Sequence, residues 1–174
     1  MAQLKIIKYP NPILRRKTSL VDCADKSLGA LAEAMFELMY EAEGVGLAAN
    51  QVGLDKRLAV IDCSAGEDPK ARLVLLNPQM LELSGMVEEE EGCLSFPQIR
   101  ARAARAVYAR VRAQDLNGRI FDVEGDGLLG KALQHELDHL DGKLFIDRIG
   151  LAQKALISGK LKALKSAAKK KSAP

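Results

Sequence analysis

The hexapeptide Gln134-His135-Glu136-Leu137-Asp138-His139 constrains this chain more than any other stretch. It lies in a run whose apolar positions Leu128, Leu129, Ala132, Leu133, Leu137 and Leu140 recur at the three-to-four-residue spacing of a buried helix face. Residues four apart on a helix stand one turn above each other, with Cβ atoms about 5–6 Å apart. His135 and His139 can therefore aim their imidazoles at one metal ion, bound at about 2.0–2.1 Å. Glu136 is rotated off the His–His line, where its carboxylate reaches a water on the metal without ligating the metal, as a general base does. Such a motif arises by chance on charged helices, but this chain of 174 residues has only two histidines and both are here. That concentration favours the metal reading over a structural one.

A catalytic site of this kind needs a third protein ligand and an open position. Downstream of the motif only Asp141 and Asp147 offer carboxylates at short range, so the third donor is a carboxylate or one of Cys23, Cys63 and Cys93. Cys93 is the best placed of these, in Glu91-Gly92-Cys93-Leu94-Ser95, because a glycine lets the backbone come close to a neighbour. Cys23 and Cys63 read as buried thiols, and an odd count of three without tight spacing is not a disulfide scaffold.

A chain of this length with 48% hydrophobic residues fits one domain with a substantial core. No apolar run approaches the ~18–20 residues of a membrane span. The first residues have neither the apolar centre of a signal peptide nor an Arg/Ser-rich presequence. The expectation is a cytoplasmic protein of bacterial type, an organellar form after processing being the alternative, with no membrane partner. The net charge of +3 hides an asymmetry. Residues 151–174 carry seven lysines and no acid, leaving 19 basic against 23 acidic residues before them, or −4. The reading is a catalytic domain over 1–150 followed by a basic, partly helical tail over 151–174, in which Leu151, Ala155, Leu161, Leu164 and Ala168 recur at loosely helical intervals and Gly159 weakens the helix.

In chain order, Asp25 or Ser27 is expected to cap a helix with the apolar stripe Leu28, Leu31, Met35, Leu38, Met39 and Ala42, stopped by Gly44. Gly44-Val45-Gly46-Leu47-Ala48-Ala49-Asn50-Gln51 lacks the Gly-Lys-Ser/Thr ending of a phosphate loop and instead reads as one wall of a cleft, with the Gln51 amide as a neutral donor. Strands are expected at 58–61, 73–76 and 80–87, with the acids 88–91 as a solvated run in which Glu91 is the least certain to be surface. Alternation from Arg105 sets Val107, Ala109, Val111 and Ala113 on one face, and Asn117-Gly118 turns the chain into a strand at 120–123. The metal helix runs from 126 or 127 to 141, ending at Gly142. The expected fold is α+β, with mixed, mainly antiparallel strands packed around a central helix that carries the His-Glu-x-x-His motif.

Three segments taken together resemble the peptide deformylase family, which carries Gly-φ-Gly-φ-Ala-Ala-x-Gln (φ apolar), Glu-Gly-Cys-φ-Ser and Gln-His-Glu-x-Asp-His in this order. Here they are residues 44–51, 91–95 and 134–139, within a similarity running from about Ile6 to Ile149. The resemblance implies removal of the formyl group from N-terminal formyl-methionine of nascent polypeptides, with release of formate. It makes Cys93, His135 and His139 the ligands of one divalent metal, natively ferrous iron with zinc, nickel or cobalt able to substitute. It makes Glu136 the acid/base, Gln51 and the Leu94 N–H the oxyanion donors, and Val45, Gly46 and Leu128 the lining of the methionine pocket. After the cysteine motif the family shows an apolar residue, a spacer and Arg, where this chain has Ala103-Ala104-Arg105, and Glu89 with Lys131 stands to alter the cleft entrance. The alternative functions are a small metallopeptidase or other metal-dependent amidase, and a non-catalytic metal or RNA-binding module using the lysine tail. That tail also fits docking on ribosomal RNA.

Overall fold

The computed structural model describes residues 4–171; residues 1–3 and 172–174, the outer ends of the two expected segments, lie outside it. A helix α1 (Ser27–Glu41) precedes seven strands: β1 (Gly46–Ala48), β2 (Leu58–Ile61), β3 (Leu73–Ser84), β4 (Val87–Gly92), β5 (Arg100–Arg105), β6 (Tyr108–Gln114) and β7 (Ile120–Gly125). Helices α2 (Gly127–Leu140) and α3 (Leu151–Lys171) follow. The strands form a sheet of order β1-β2-β3-β6-β7 and a separate ribbon β4-β5, with every pairing antiparallel. The α+β architecture expected from the sequence is therefore the one observed.

Strand β2 is buried on both faces, and period-two alternation explains how. Leu58 and Val60 join Leu28, Ala32, Met35, Phe36 and Met39 of α1 in one core cluster. Ile61, one step out of phase, joins Leu75, Ala109, Val111, Ala113, Leu133 and Leu137 in another. The large sheet is thus covered by α1 on one face and α2 on the other, and α2 runs through the middle of the protein. Each fully buried Leu of these clusters contributes roughly 1.5–3 kcal/mol. A third cluster gathers Phe96, Ile99, Ala101, Ala103, Leu144, Phe145, Ile149 and Ile157 beneath the ribbon.

Several local expectations are corrected. The expected strands 73–76 and 80–87 are one long strand, β3, irregular around Asn77, whose φ is 51°, and closed by a turn at Gly85. The acidic run, expected as solvated surface without a strand assigned to it, forms β4: Glu88, Glu89 and Glu90 are solvated as expected, and Glu91, the least certain of the four to be surface, is buried. Helix α1 ends at Glu41, before Gly44, because Glu43 adopts the left-handed conformation and Gly44 N–H closes back on the Met39 carbonyl. At its start the Asp25 carboxylate accepts the Ser27 N–H and hydroxyl, while Lys26 occupies the cap position. Leu128, expected on the buried face of α2, is 49% exposed and lines the cleft. In α3 the buried residue is Ile157, with Leu161 and Leu164 beside it, whereas Leu151 is 86% exposed.

Helix α2 can lie this close to the sheet because residue 130 is glycine. A Cβ there would sit 2.6 Å from the Gly125 carbonyl and 3.3 Å from that of Val107, both backbone atoms that cannot swing aside. We expect Gly130→Ala to destabilise the protein by about 1–3 kcal/mol through overpacking, despite the better helix propensity of alanine. Urea denaturation measures this, and an unchanged midpoint would show that the helix has slack against the sheet.

Candidate metal centre and cleft

The centre is assembled from α2 and the end of the β4-β5 ribbon. Helical spacing puts His135 and His139 on one stripe of α2, their Nε2 atoms 3.2 Å apart. Cys93 follows β4, and its Sγ lies 3.2 Å from His139 Nε2. All three ligand atoms fall within 4.8 Å of one another. Two imidazole nitrogens and a thiol sulfur converging on one point fit a cation held at about 2.0–2.3 Å by N and S donors with a fourth position free. Elimination on sequence had left Cys23 and Cys63 open as well. Cys23 instead hydrogen-bonds Gln114 on the far side of the sheet at 3.2 Å, and burial raises the pKa of the Cys63 thiol.

His135 Nδ1 meets a carboxylate oxygen of Glu91 at 2.6 Å, which fixes the ring so that Nε2 faces Cys93 and His139. Glu91 is 5% exposed and also accepts Arg105 Nε at 2.9 Å and Nη2 at 2.7 Å. Burial alone would raise the pKa of Glu91, but the bonds from Arg105 and His135 outweigh it and bring the value down to about 2. Arg105 Nη1 continues to Asp138 at 2.5 Å, and Arg148 binds both oxygens of Asp138 at 2.6 and 2.9 Å. The second histidine is held from its backbone, where Asn50 Nδ2 donates to the His139 carbonyl at 2.5 Å. Burial and the charge of His135 push the pKa of His139 well below its ordinary value. A neutral imidazole is the form that ligates a cation.

Glu136 is 3% exposed, and its Oε2 has no hydrogen-bond partner among the described residues. Burial raises its pKa to about 7, against the opposing pull of His135. A carboxyl group in this state both takes up and gives up a proton near neutrality. It lies against Gly46, where a Cβ would collide with the carboxylate. The orientation of Gln51 follows from its own partners: Oε1 accepts the Ala48 N–H at 2.9 Å, leaving Nε2 toward Ser95 Oγ at 3.3 Å and Cys93 Sγ at 3.6 Å. Leu94 sits beside the thiol, its carbonyl taking Lys8 Nζ at 2.6 Å. These groups line a cleft of about 680 Å³ together with Val45, Gly46 and Leu128. Cys93, His135, Glu136, Gln51, Leu94, Val45, Gly46 and Leu128 all line this cleft and His139 lies beside it, against Cys93 and His135, whereas the other third-ligand candidates Cys23, Cys63, Asp141 and Asp147 do not line it.

Arg105, Asn50, Arg148 and Lys8 were not anticipated in these roles. Arg105 opens the alternating stretch in the sequence, and nothing in its local sequence announces burial; the signal is the long-range charge match with Glu91 and Asp138.

A family model described as polypeptide deformylase matches residues 3–155. The chain is 47% identical over 162 residues to the peptide deformylase of Acidobacterium capsulatum, covering 93% of this chain and 95% of that one. Among solved structures it is similar to a plant peptide deformylase, with a TM-score of 0.94, 39% identity and coverage of 99% of this chain and 94% of that one. A peptide deformylase from Legionella pneumophila gives a TM-score of 0.87 at 39% identity, covering 99% and 100%.

The bond from His135 to Glu91 should govern how well the histidine pair is set for a cation. Glu91→Gln is expected to weaken Co²⁺ or Zn²⁺ affinity by about 10–100-fold, read by competition with a chromophoric chelator. Affinity within twofold of the parent would show that the carboxylate does not orient the ring.

Proposed function

The chain belongs to the peptide deformylase family, metal-dependent enzymes that remove the formyl group from N-formylmethionyl polypeptides, and from that premise we propose how its residues divide the work. The observation that carries the proposal is the convergence of Cys93, His135 and His139 beside a buried Glu136 with a free oxygen.

In this reading Cys93, His135 and His139 would hold one divalent cation, which would supply Lewis acidity that lowers the pKa of a water molecule toward neutrality. Glu136 takes the proton from the attacking water and returns it to the departing amine, so one carboxylate acts in both directions. As the formyl carbonyl gains negative charge, Gln51 Nε2 and the Leu94 N–H donate to it, each worth roughly 10²–10³ in rate. Gln51 suits this because its oxygen is already occupied by Ala48, so the amide cannot turn to present an acceptor. Val45, Gly46 and Leu128 receive the methionine side chain within the same cleft. Membership of the family points to ferrous iron as the native metal, with zinc, nickel or cobalt substituting, and a thiolate ligand makes the site sensitive to oxidation.

We further take residues 1–150 as the unit that holds every catalytic residue, and 151–174 as a basic segment that packs Ile157 against that unit and docks the enzyme on ribosomal RNA. The lysines exposed along α3 at 154, 160, 162, 165, 169 and 170 support this. Three free cysteines support a reducing, cytoplasmic setting or an organelle after processing. Among the described residues no helix is long and apolar enough to cross a membrane.

The direct test is formate release from formyl-Met-Ala-Ser by anaerobically purified, iron-loaded protein, with the unformylated peptide as control. Glu136→Ala should keep the metal and lose about 10²–10⁴ in kcat, whereas Cys93→Ala should lose metal and turnover together. Equal loss of metal and activity in Glu136→Ala would make that residue structural, and cleavage of the unformylated peptide would favour the peptidase reading. Lys162→Glu together with Lys170→Glu, which leaves the packed Ile157 side of α3 in place, should weaken binding to purified ribosomes; undiminished ribosome affinity would sink the docking role.

A further inference from the structure

One wall of the cleft is not apolar. Lys131, His135 and His139 are spaced four apart on α2, so Lys131 stands on the stripe of the histidines, one turn nearer the start of the helix. Leu128 and Ala132 flank it, and all three line the cleft together with Val45, Gly46 and Glu136. The Lys131 side chain is only 21% exposed, and its Nζ meets Glu89 Oε2 of β4 at 2.5 Å. An ammonium has three N–H donors, and Glu89 engages one of them. The ion pair joins α2 to β4, the two elements that form the metal centre, directly beside the residues assigned to the first side chain of the substrate.

We propose that the Lys131–Glu89 pair is a polar wall of that side-chain pocket, so that this enzyme also accepts N-formyl peptides whose first side chain is unbranched and ends in a hydrogen-bond acceptor, methionine sulfoxide above all. The inference rests on the deformylase reading and extends its substrate class. In a pocket lined only by Val45, Leu128 and Ala132, a sulfoxide oxygen would lose its hydration with nothing in return, and burying an unpaired polar group is strongly disfavoured. A free N–H of Lys131 replaces the lost water, and a bond to a charged donor is about twice as strong as one between neutral groups. Unoxidised methionine still packs on Val45, Leu128 and the methylenes of Lys131, since a lysine stem is itself apolar.

The test compares kcat/KM of the metal-loaded full chain for formyl-Met-Ala-Ser, its sulfoxide and its norleucine analogue. The parent enzyme should process the sulfoxide within about tenfold of the methionine peptide. Lys131→Met should lower the ratio of sulfoxide to norleucine by at least about tenfold, and Lys131→Arg, which keeps a donor, should restore it. An unchanged ratio in Lys131→Met, or a parent enzyme that discriminates against the sulfoxide by more than about a hundredfold, would overturn the inference and leave the pair as a clasp between α2 and β4. Should none of the three peptides release formate, the deformylase reading itself would fall and take this extension with it. Release from formyl-methionine with an unchanged ratio overturns the extension alone.

Discussion

Glu91 accepts from His135 and Arg105 at once, and most of the site depends on that junction. A buried carboxylate is costly unless its charge is matched. Here the matching runs on as a chain of alternating sign, Glu91 to Arg105 to Asp138 to Arg148. Its members come from β4, β5, α2 and the segment after α2, so four parts of the chain must be in register before any charge is satisfied. Removing one partner from such a set costs about 3–5 kcal/mol, because the remainder stays buried and unpaired. The same ribbon delivers Cys93 two residues beyond Glu91. The thiol and the group that aims His135 at it are therefore carried by one rigid element.

Against this pinned framework Glu136 stands out as a group left unsatisfied. Its carboxylate is buried, has one oxygen without a partner among the described residues, and is pressed against Gly46 of β1. Stability alone would fill that place with an apolar side chain or supply a donor. A proton-transfer group needs the opposite, since any fixed donor would hold it in the charged form. The glycine is part of the same solution: only a residue without a Cβ leaves space for the carboxylate on the cleft side of the helix.

Much of this was legible in the sequence, and the reasons divide by range. The metal helix, the β6-β7 hairpin and the histidine geometry follow from local periodicity and spacing, and they form where expected. The ribbon did not show itself. Its strands are Val-Glu-Glu-Glu-Glu-Gly and Arg-Ala-Arg-Ala-Ala-Arg, composed of residues that seldom favour strands. What stabilises it is tertiary: Ala101 and Ala103 pack into the cluster of Phe96 and Leu144, and Glu91 and Arg105 enter the charge chain. Strand β1 was hidden for a related reason. Three residues beginning with glycine carry no periodic signal, and their pairing with β2 is set by the sheet. Local sequence ranks Cys93 first of the three thiols, through its neighbouring glycine, but does not exclude the other two, because the distance that decides it spans 46 residues of chain.

The terminal helix shows how a composition-based division can be right about charge and incomplete about structure. Six lysines are exposed along α3, with no acid among them. Its other side inserts Ile157 into the cluster of Phe96, Ile99 and Phe145, with Leu161 and Leu164 alongside. Phe96 lies three residues from Cys93, and its N–H bonds the Cys93 carbonyl at 2.8 Å. The apolar side of the helix thus supports the loop that carries the thiol ligand, while its lysines look outward. Ile157 and Phe96 tie the helix to the loop that carries Cys93. Burying Ile157 is worth roughly 1.5–3 kcal/mol, a substantial fraction of the 5–15 kcal/mol that holds a domain folded. The segment that reads as a tail by charge is, by packing, part of the core.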